Sequence, residues 1–176
     1  VVSDKNGNVY SVGVFQGSAA FDLEDMSDSL TSKGGYDYYI LKEDKNGDVL
    51  WARSVGSPDF EWANALSLDD SANIYITGRF SGPAEFDPGP DTFYMSSNGP
   101  VRVMFIQKLD RDGNFIWAKK LNNGSTSEGA DMAIKGDAMY ITGIFNGSVD
   151  FDPGPDTSFL YASSSNGFAA RYDTSG

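Results

Sequence analysis

The heptapeptide FDPGPDT occurs twice, at Phe86–Thr92 and at Phe151–Thr157, and the two copies are 65 residues apart. Each copy follows a second shared pattern, which begins at Tyr75 as YITGRFSG and at Tyr140 as YITGIFNG. A third copy of that pattern, YSVGVFQG, begins at Tyr10, again 65 residues upstream. Self-similarity at a fixed period is the signature of a protein built from tandem repeats.

Runs rich in Val, Ile, Tyr and Phe recur within each repeat, and such runs predict β-strands. One kind of run covers Val9–Phe15, Ile74–Phe80 and Met139–Phe145 and is apolar on both faces, as expected of a strand covered on both sides. The other predicted strands are Tyr36–Asp44, Val101–Asp110, Asn166–Asp173, Asp48–Arg53, Asn114–Lys119, Glu61–Leu68 and Glu128–Ile134. A complete unit therefore has four short strands, and no amphipathic helix pattern interrupts them.

Four-stranded antiparallel units in tandem are the blades of a β-propeller. The sequence thus predicts an all-β fold of about 2.7 propeller-type units of 65 residues each. We expect one repeat array over 1–176, with a partial unit at about 1–60, a complete unit at 61–127 and a partial unit at 128–176. Propellers close with about four to eight blades, so about 2.7 units cannot close a ring by themselves. Either the polypeptide is longer, or several copies assemble, or the units stack openly. We favour the first explanation, in which the chain is a fragment of a larger propeller.

A connection of about 20 residues follows the first kind of strand in each unit, at Gly17–Gly35, Ser81–Pro100 and Asn146–Ser165. Connections of this length are uncommon in compact domains, and those that exist are usually functional or mobile. We predict that these segments are long loops.

Short Asp-x-x-Gly segments at Asp44–Gly47 and Asp110–Gly113 predict type I turns between strands. An EF-hand calcium loop also begins with spaced acidic residues, but it requires Glu at its twelfth position. Val55 and Leu121 occupy that position here, so the turn is the better interpretation.

The chain is acidic, with 13 Lys and Arg against 25 Asp and Glu and a formal net charge of −12. Such a field repels nucleic acid and anionic membrane surfaces, so we expect no nucleic-acid binding. Because the sequence has no run of about 18 apolar residues, we also expect no membrane insertion. The sequence contains no Cys and no His, which excludes disulfides, thiolate nucleophiles and imidazole bases. Any bound metal would have oxygen ligands, as Ca²⁺ and Mg²⁺ do.

Several segments resemble a known family of repeats. They are Gly113-Asn114 with Trp117-Ala118, Asn73–Gly82, Phe86–Gly89 and Phe151–Gly154. They are similar to the bacterial β-propeller repeats called SBBP, although the first copy, at Phe21-Asp22, lacks the Pro-Gly. This resemblance implies propeller blades in a large secreted or cell-surface protein of a bacterium. It implies no particular reaction.

The Asp-Pro-Gly-Pro-Asp element places Asp87 and Asp91 four residues apart across a bend, and Asp152 and Asp156 repeat the arrangement. Proline fixes φ and glycine permits a reversal, so each pair of carboxylates can converge on a Ca²⁺ ion. The alternative is an Asx-turn, in which Asp87 and Asp152 accept backbone N–H bonds. Two carboxylates alone supply few ligands, so calcium is a candidate cofactor beside the turn interpretation.

The tryptophans fall into two groups according to whether they repeat. Trp51 and Trp117 occupy equivalent positions, so we expect them to pack between strands. Trp62 is aligned with Gly129 and has no aromatic counterpart. A non-repeated aromatic residue is a candidate contact for a sugar or a peptide.

The prominent acidic residues recur from unit to unit, Glu61 and Glu128 among them, whereas an active site is usually unique. We therefore predict no enzyme. The expected function is a non-catalytic binding or scaffold module, extracellular or at the cell surface, in adhesion or in protein or glycan interaction. Its partner would be a protein, a glycan, or other copies or neighbouring repeats of the same polypeptide. The alternatives are an extracellular carbohydrate-active hydrolase or lyase on a propeller, and a structural repeat of a surface filament.

Overall fold

The computed structural model describes residues 1–21, 29–97, 99–121 and 125–176. Within them the chain forms β-strands and no helix, and so none that could span a membrane. In chain order the strands are β1 (Val2–Ser3), β2 (Val9–Phe15), β3 (Ser18–Ala20), β4 (Ser29–Thr31), β5 (Asp37–Glu43), β6 (Val49–Val55), β7 (Glu61–Leu68), β8 (Ile74–Phe80), β9 (Pro83–Glu85), β10 (Tyr94–Ser96), β11 (Val103–Leu109), β12 (Phe115–Leu121), β13 (Ser127–Lys135), β14 (Ala138–Asp150) and β15 (Phe159–Asp173).

The described residues form three larger sheets, which we call blades 1, 2 and 3. Their strand orders are β1-β2-β5-β6, β7-β8-β11-β12 and β13-β14-β15, and neighbouring strands are antiparallel throughout. Strand β7 contacts β1 and β2 of blade 1 and β13 of blade 3, so β1, β7 and β13 lie along the inner edge of the array. The predicted all-β fold of propeller-type antiparallel blades is confirmed.

The prediction that the long connections are loops is wrong in part, because paired strand residues occur in each of them. Strands β3 and β4 pair in the first connection, and β9 and β10 pair in the second. In blade 3, β14 and β15 continue past a register shift after Phe145, so that Gly147–Asp150 pairs with Phe159–Ala162. Each FDPGPDT copy is the tip of such a hairpin. The corresponding tip in blade 1, from Asp22 onwards, lies outside the described residues.

The Phe of FDPGPDT packs into a cluster of three aromatic rings. Phe86 is fully buried, and its ring centre is 5.1 Å from those of Phe80 and Phe105. Phe151 repeats the arrangement at 5.4 Å from Phe145 and 4.7 Å from Phe168. The hairpin is therefore held to its blade by the first residue of the motif, and aromatic pairs of this kind add to the burial of their surface.

The Asp-x-x-Gly segments form the predicted turns. Asp44 Oδ1 accepts the backbone N–H groups of Asn46 at 2.7 Å and of Asp48 at 3.0 Å, and these bonds lower the pKa of the Asp44 carboxyl. Gly47 has φ of 91°, as a type I turn followed by a bulge requires. The Asp110 turn repeats both bonds.

Consecutive blades pack face to face. We call the face that a blade turns towards the next blade in the chain its trailing face, and the opposite face its leading face. Trp51 of blade 1 covers Gly113 of blade 2, where an added Cβ would lie 3.2 Å from the indole ring. Lys42 Nζ lies over the ring of Tyr10 and donates to the backbone carbonyl of Arg111 at 2.9 Å. The same contacts join blade 2 to blade 3 through Tyr75, Lys108, Trp117, Thr174 and Gly176. Repeated Trp and Lys residues thus fasten consecutive blades, as expected for the two tryptophans.

Candidate functional site

The strand register corrects one alignment made from the sequence. Glu61 pairs with Phe80, whereas Ser127 pairs with Phe145, the repeat equivalent of Phe80. Ser127 is therefore the counterpart of Glu61, and the next residue, Glu128, is the counterpart of Trp62. The predictions that matched Glu61 with Glu128 and Trp62 with Gly129 are wrong by one residue. Trp62 still has no aromatic counterpart in blade 3, because the acidic residue Glu128 occupies the equivalent position.

Trp62 lies in a cavity of about 220 Å³ at the end of blade 2 from which the long connection leaves. The cavity is lined by Tyr36, Phe60, Trp62, Arg79, Phe80, Ser81 and Arg102, and we call it the aromatic–arginine pocket. Trp62 and Arg79 are cross-strand neighbours, and the guanidinium carbon lies 5.3 Å from the indole centre, within cation–π distance. The ring of Tyr36 lies 5.2 Å from Trp62 and 6.2 Å from Phe60.

The two arginines of the pocket differ in their partners. Arg79 forms an ion pair with Glu128 of blade 3, and Asn64 donates to the same carboxylate at 2.8 Å. Asn64 is the extra residue of a β-bulge in β7, which directs its side chain across the junction between the blades. Arg102 is exposed, and its guanidinium has no ion pair or hydrogen bond within the described part of the chain. The pocket therefore combines a fixed cation with an unpaired one.

Sequence reasoning identified Trp62 but missed the residues around it. A signal for Arg79 was present, because Val14 and Ile144 occupy its position in the other copies of the repeat. A charged residue in an otherwise apolar run marks a place where one unit departs from the common pattern. Tyr36 carried no such signal, since only the fold brings it beside Phe60 and Trp62.

Two carboxyl groups are fully buried near the pocket. Both carboxylate oxygens of Glu61 accept hydrogen bonds from Ser57, from the hydroxyl and from the backbone N–H, each at 2.7 Å. Burial, with a smaller contribution from the nearby charges of Asp37 and Asp59, raises the pKa of Glu61 to about 7 despite these bonds. Asp37 accepts one backbone N–H from Lys33, and burial raises its pKa as well. Its second oxygen has no hydrogen-bond partner among the described residues.

Neither of these carboxyl groups repeats. Val103 pairs with Phe80 as Asp37 pairs with Phe15, and Ser127 takes the place of Glu61 in blade 3. The interpretation that the prominent acidic residues recur in every unit is therefore wrong for this pair. Both side chains have zero exposed surface, so they act on the junction between blades 1 and 2 and contact no solvent.

The predicted calcium ligands lie at the tips of the hairpins. Asp87 Oδ1 accepts the backbone N–H of Gly89 at 2.7 Å, and Asp152 does the same with Gly154 at 2.6 Å. Asp91 and Asp156 are exposed. Among the described residues, no group of three or more acidic side chains is placed to hold a metal ion. The Asx-turn interpretation thus describes Asp87 and Asp152, and calcium binding stays a prediction.

A larger depression of about 810 Å³ lies at the opposite end of the blades. Its walls are the turns that begin at Asp4 and Asp69, whose carboxylates accept bonds from Asn8 and Asn73 within the same turns. Burial of the Asp69 carboxyl is outweighed by these bonds, so its pKa is lowered. Because these groups repeat and already have partners, we regard the depression as a consequence of the fold and place the candidate site in the aromatic–arginine pocket.

Comparison with known proteins supports the architecture. No protein-family profile matches the chain, so the resemblance to SBBP repeats stays an expectation. The chain is similar to an uncharacterized WD repeat-containing protein of Acanthamoeba polyphaga mimivirus, with 28% identity over 122 residues. The matched segment covers 67% of this chain but 9% of the viral protein. WD repeats are four-stranded propeller blades, in agreement with the sheets described above.

Proposed function

We propose that this chain is a non-catalytic interaction module that binds a protein partner in the aromatic–arginine pocket. The observation that supports it most is the non-repeated Trp62, stacked against an Arg79 that Glu128 holds in place. Trp, Tyr and Arg are the residues most enriched at binding hot spots. A fixed guanidinium also loses little side-chain entropy when a partner binds.

The size of the pocket favours a protein partner. Its volume of about 220 Å³ is below the roughly 300–1,000 Å³ typical of small-molecule sites. It can accommodate one side chain that projects from a partner, with the unpaired Arg102 beside it for a carboxylate or a backbone carbonyl. Similarity to a WD repeat-containing protein also favours a scaffold that binds other proteins over one that binds glycans.

The setting of the module is part of the proposal. We place it in a secreted or cell-surface protein, where it contributes to adhesion, on the basis of the SBBP-like residues in Asn73–Gly82 and in the two FDPG segments. A glycan partner is the second candidate, because Tyr36 and Trp62 form an aromatic surface of the kind that stacks on sugar rings. Detection of the intact protein outside the cell or on its surface would support this setting, and a cytoplasmic location would contradict it.

Selection of random peptides displayed on phage tests the pocket directly. Selected peptides should bind the wild-type chain and lose at least about tenfold in affinity to Trp62→Ala and to Arg102→Ala, as hot-spot residues do. Tyr161→Ala is the matched control, because Tyr161 is 76% exposed on blade 3 and outside the pocket. Equal affinity of the selected peptides for wild type and Trp62→Ala would contradict the proposed site.

A glycan array and a panel of polysaccharide substrates separate the rival functions. Glycan binding that disappears in Trp62→Ala would identify the same pocket as a sugar site and overturn the protein-partner proposal. Turnover of a polysaccharide that disappears when a single carboxylate is changed would overturn the non-catalytic proposal.

A further inference from the structure

Two backbone segments cross beside the aromatic–arginine pocket, where the trailing face of blade 1 meets the leading face of blade 2. They are residues 34–37, which lead into β5, and residues 56–61, which join β6 to β7. A Cβ added at Gly34 would lie 2.4 Å from the backbone of Pro58, so the two backbones touch with no side chain between them. We call this place the crossing.

The crossing encloses the two buried carboxyl groups that do not repeat. Asp37 lies directly against the second segment, since a Cβ added at Gly56 would lie 1.7 Å from its Oδ2. Its Oδ1 is buried and has no hydrogen-bond partner among the described residues. Glu61 ends the second segment, and Ser57 of the same segment supplies both of its hydrogen bonds. An ionised carboxylate is costly in such a place, because water does not reach it.

The acidic groups around Glu61 increase the cost of its ionisation. Burial is the main cause of its raised pKa, and the charges of Asp37 on β5 and of Asp59 in the second segment add to it. Burial and the charge of Glu61 also raise the pKa of the Tyr38 hydroxyl on β5, which donates to Gln107 of β11 at 2.8 Å. A charge on either carboxyl is therefore opposed by the other.

The cations around the pair leave that cost in place. Lys33 faces Asp37, and its backbone N–H and its charge lower the pKa of Asp37, but burial outweighs both and the pKa is raised. Arg79 of β8 is paired with Glu128, and Arg102 ahead of β11 lines the adjoining pocket. The closed crossing therefore favours protonated carboxyl groups.

Each of the two carboxyl groups adjoins a wall of the pocket. Asp37 follows Tyr36, which comes from blade 1, and Glu61 lies between Phe60 and Trp62. The backbone N–H of Glu61 donates to the carbonyl of Tyr36 at 2.7 Å, so a single hydrogen bond ties the two walls together. The contact of 5.2 Å between the rings of Tyr36 and Trp62 depends on that closed arrangement.

We propose that the crossing opens and closes with pH, so that the aromatic–arginine pocket is held together when Glu61 and Asp37 are protonated and is loosened when they are ionised. This inference concerns the regulation of the pocket and rests on the proposed function for what the pocket binds. Opening lets water solvate both carboxylates and separates Tyr36 from Trp62. A partner that contacts both walls binds the closed form alone, and its apparent affinity falls with the closed fraction.

The direction of the effect follows from Glu61. Its pKa is about 7 in the closed crossing and returns to the ordinary value of 4.5 when water reaches the group. Closure is therefore most favourable below about pH 4.5, becomes less favourable as the pH rises to about 7, and is constant at higher pH. Between pH 5 and pH 8 the equilibrium constant for closure falls by up to about 70-fold.

The junction between blades 2 and 3 provides a matched control within the same chain. There the backbone N–H of Ser127 donates to the carbonyl of Arg102 at 3.0 Å, as that of Glu61 does to Tyr36. Val103 stands at the position of Asp37, and Ser127 itself stands at the position of Glu61. Because neither position carries a carboxyl group, this junction lacks the proposed dependence on pH.

Amide hydrogen exchange of the 176-residue chain at pH 5 and pH 8, corrected for the intrinsic exchange rate at each pH, measures the opening of both junctions. Protection of the Glu61 amide should be at least about tenfold lower at pH 8, while that of the Ser127 amide changes by less than about threefold. In Glu61→Gln most of this change should disappear, since the amide side chain can make the same bonds to Ser57 as a protonated carboxyl.

Peptides selected on the pocket test its regulation. The wild-type chain should bind them at least about threefold more weakly at pH 8 than at pH 5. Glu61→Gln should show a smaller difference, and the comparison of the two proteins removes any titration of the peptides themselves. The exposed Asp156→Asn is the control variant and should behave as the wild type does.

Three results would overturn the proposal. Equal protection of the Glu61 amide at the two pH values would mean that the crossing does not respond to pH. Equal losses of protection at the Glu61 and Ser127 amides would mean that pH acts on the whole fold. A pH-dependent crossing with unchanged peptide affinity would mean that closure does not control the pocket. Failure of the proposed function is seen separately, as peptides that bind Trp62→Ala as tightly as wild type, and the exchange result does not depend on it.

Discussion

The two ends of the blades differ in how closely the repeat is kept. At the end formed by the Asp-x-x-Gly and related turns, Asp4, Asp44, Asp69 and Asp110 each accept backbone N–H groups two and four residues on. At the end from which the long connections leave, Trp62 faces a cavity and has Glu128 as its counterpart. The comparison teaches that repeated residues hold the sheets and make the contacts that recur between blades, while the candidate site is centred on residues that occur once, Trp62 and Arg79.

The largest expected effect comes from breaking a repeated contact, the aromatic cluster of blade 2. Phe86→Ala should lower the free energy of unfolding by about 3–5 kcal/mol, since it leaves a cavity between Phe80 and Phe105. Tyr94→Ala, in the same hairpin but 68% exposed, should cost less than about 1 kcal/mol. Urea denaturation measures both values. Equal losses would mean that the motif phenylalanine does not anchor the hairpin.

The next effect concerns a buried group that does not repeat, Glu61. Its folded-state pKa of about 7 lies above the ordinary value of 4.5, so folding favours the protonated carboxyl. The contribution of Glu61 to the free energy of unfolding is therefore greatest below about pH 4.5. It falls as the pH rises from 4.5 to about 7 and is constant at higher pH. Glu61→Gln should remove this decrease, which amounts to at most roughly 3 kcal/mol at pH 9.

Unfolding free energies of wild type and Glu61→Gln at pH 5 and pH 9 test this prediction. The difference between the two proteins should shift in favour of the variant at the higher pH. Asp37 titrates in the same direction and is present in both proteins, so only its coupling to Glu61 enters the comparison. The exposed Asp156→Asn is the control. Parallel pH profiles would contradict a raised pKa for Glu61.

A smaller effect is expected where the repeat of the turns is itself interrupted. Ala72 has φ of 62°, in the left-handed region, at the position where the first turn has Gly7 with φ of 85°. The left-handed conformation costs a residue with a Cβ roughly 1–2 kcal/mol, and the greater freedom of glycine in the unfolded chain offsets part of the gain. Ala72→Gly should therefore raise the free energy of unfolding by about 1 kcal/mol.

Thermal or urea unfolding of Ala72→Gly measures that gain. Ala65→Gly, within strand β7, is the matched control and should instead lower stability by about 0.5–1 kcal/mol. A loss of stability in Ala72→Gly would mean that the turn tolerates the side chain without strain.

The smallest expected effect tests calcium binding at the duplicated Asp-Pro-Gly-Pro-Asp tips. An ion that binds the folded chain at a concentration equal to its Kd stabilises it by about 0.4 kcal/mol, and more at higher concentration. The melting temperature should therefore rise between a chelator and millimolar Ca²⁺, and the rise should disappear in the double variant Asp91→Asn, Asp156→Asn. An unchanged melting temperature of the wild-type chain would exclude these carboxylates as a calcium site.

The sequence predicts the blades well, because the repeat period and the apolar runs can both be recognised from the order of residues along the chain. Val9–Phe15, Ile74–Phe80 and Glu61–Leu68 coincide with β2, β8 and β7. The short hairpins could not be predicted in the same way, since Pro83–Glu85 and Ser18–Ala20 have three residues each and lie among turn-forming residues. The hairpin that begins at Pro83 is held to its blade by a tertiary contact, the burial of Phe86 against Phe80 and Phe105.

The candidate site was predicted in part, through Trp62. Leu68 pairs with Ile74 in blade 2 and Ile134 pairs with Met139 in blade 3, so the turn between β13 and β14 is one residue shorter than the turn between β7 and β8. Strand β13 is therefore out of phase with the repeat by one residue, and only backbone pairing reveals the correct alignment. Arg79 can be found by comparing the copies position by position. Tyr36 precedes β5 of blade 1 and meets Phe60 and Trp62 through the packing of blade 1 on blade 2.

Unfolding of three tryptophan variants tests the central claim, that repeated residues build the fold and Trp62 does not. Trp51 and Trp117 pack against the two hydrophobic cores, so Trp51→Ala and Trp117→Ala should each lower the free energy of unfolding by about 3 kcal/mol. Trp62 packs in the pocket, and Trp62→Ala should change stability by less than about 1 kcal/mol. A loss in Trp62→Ala as large as in the other two would show that Trp62 is a structural residue and would contradict this account.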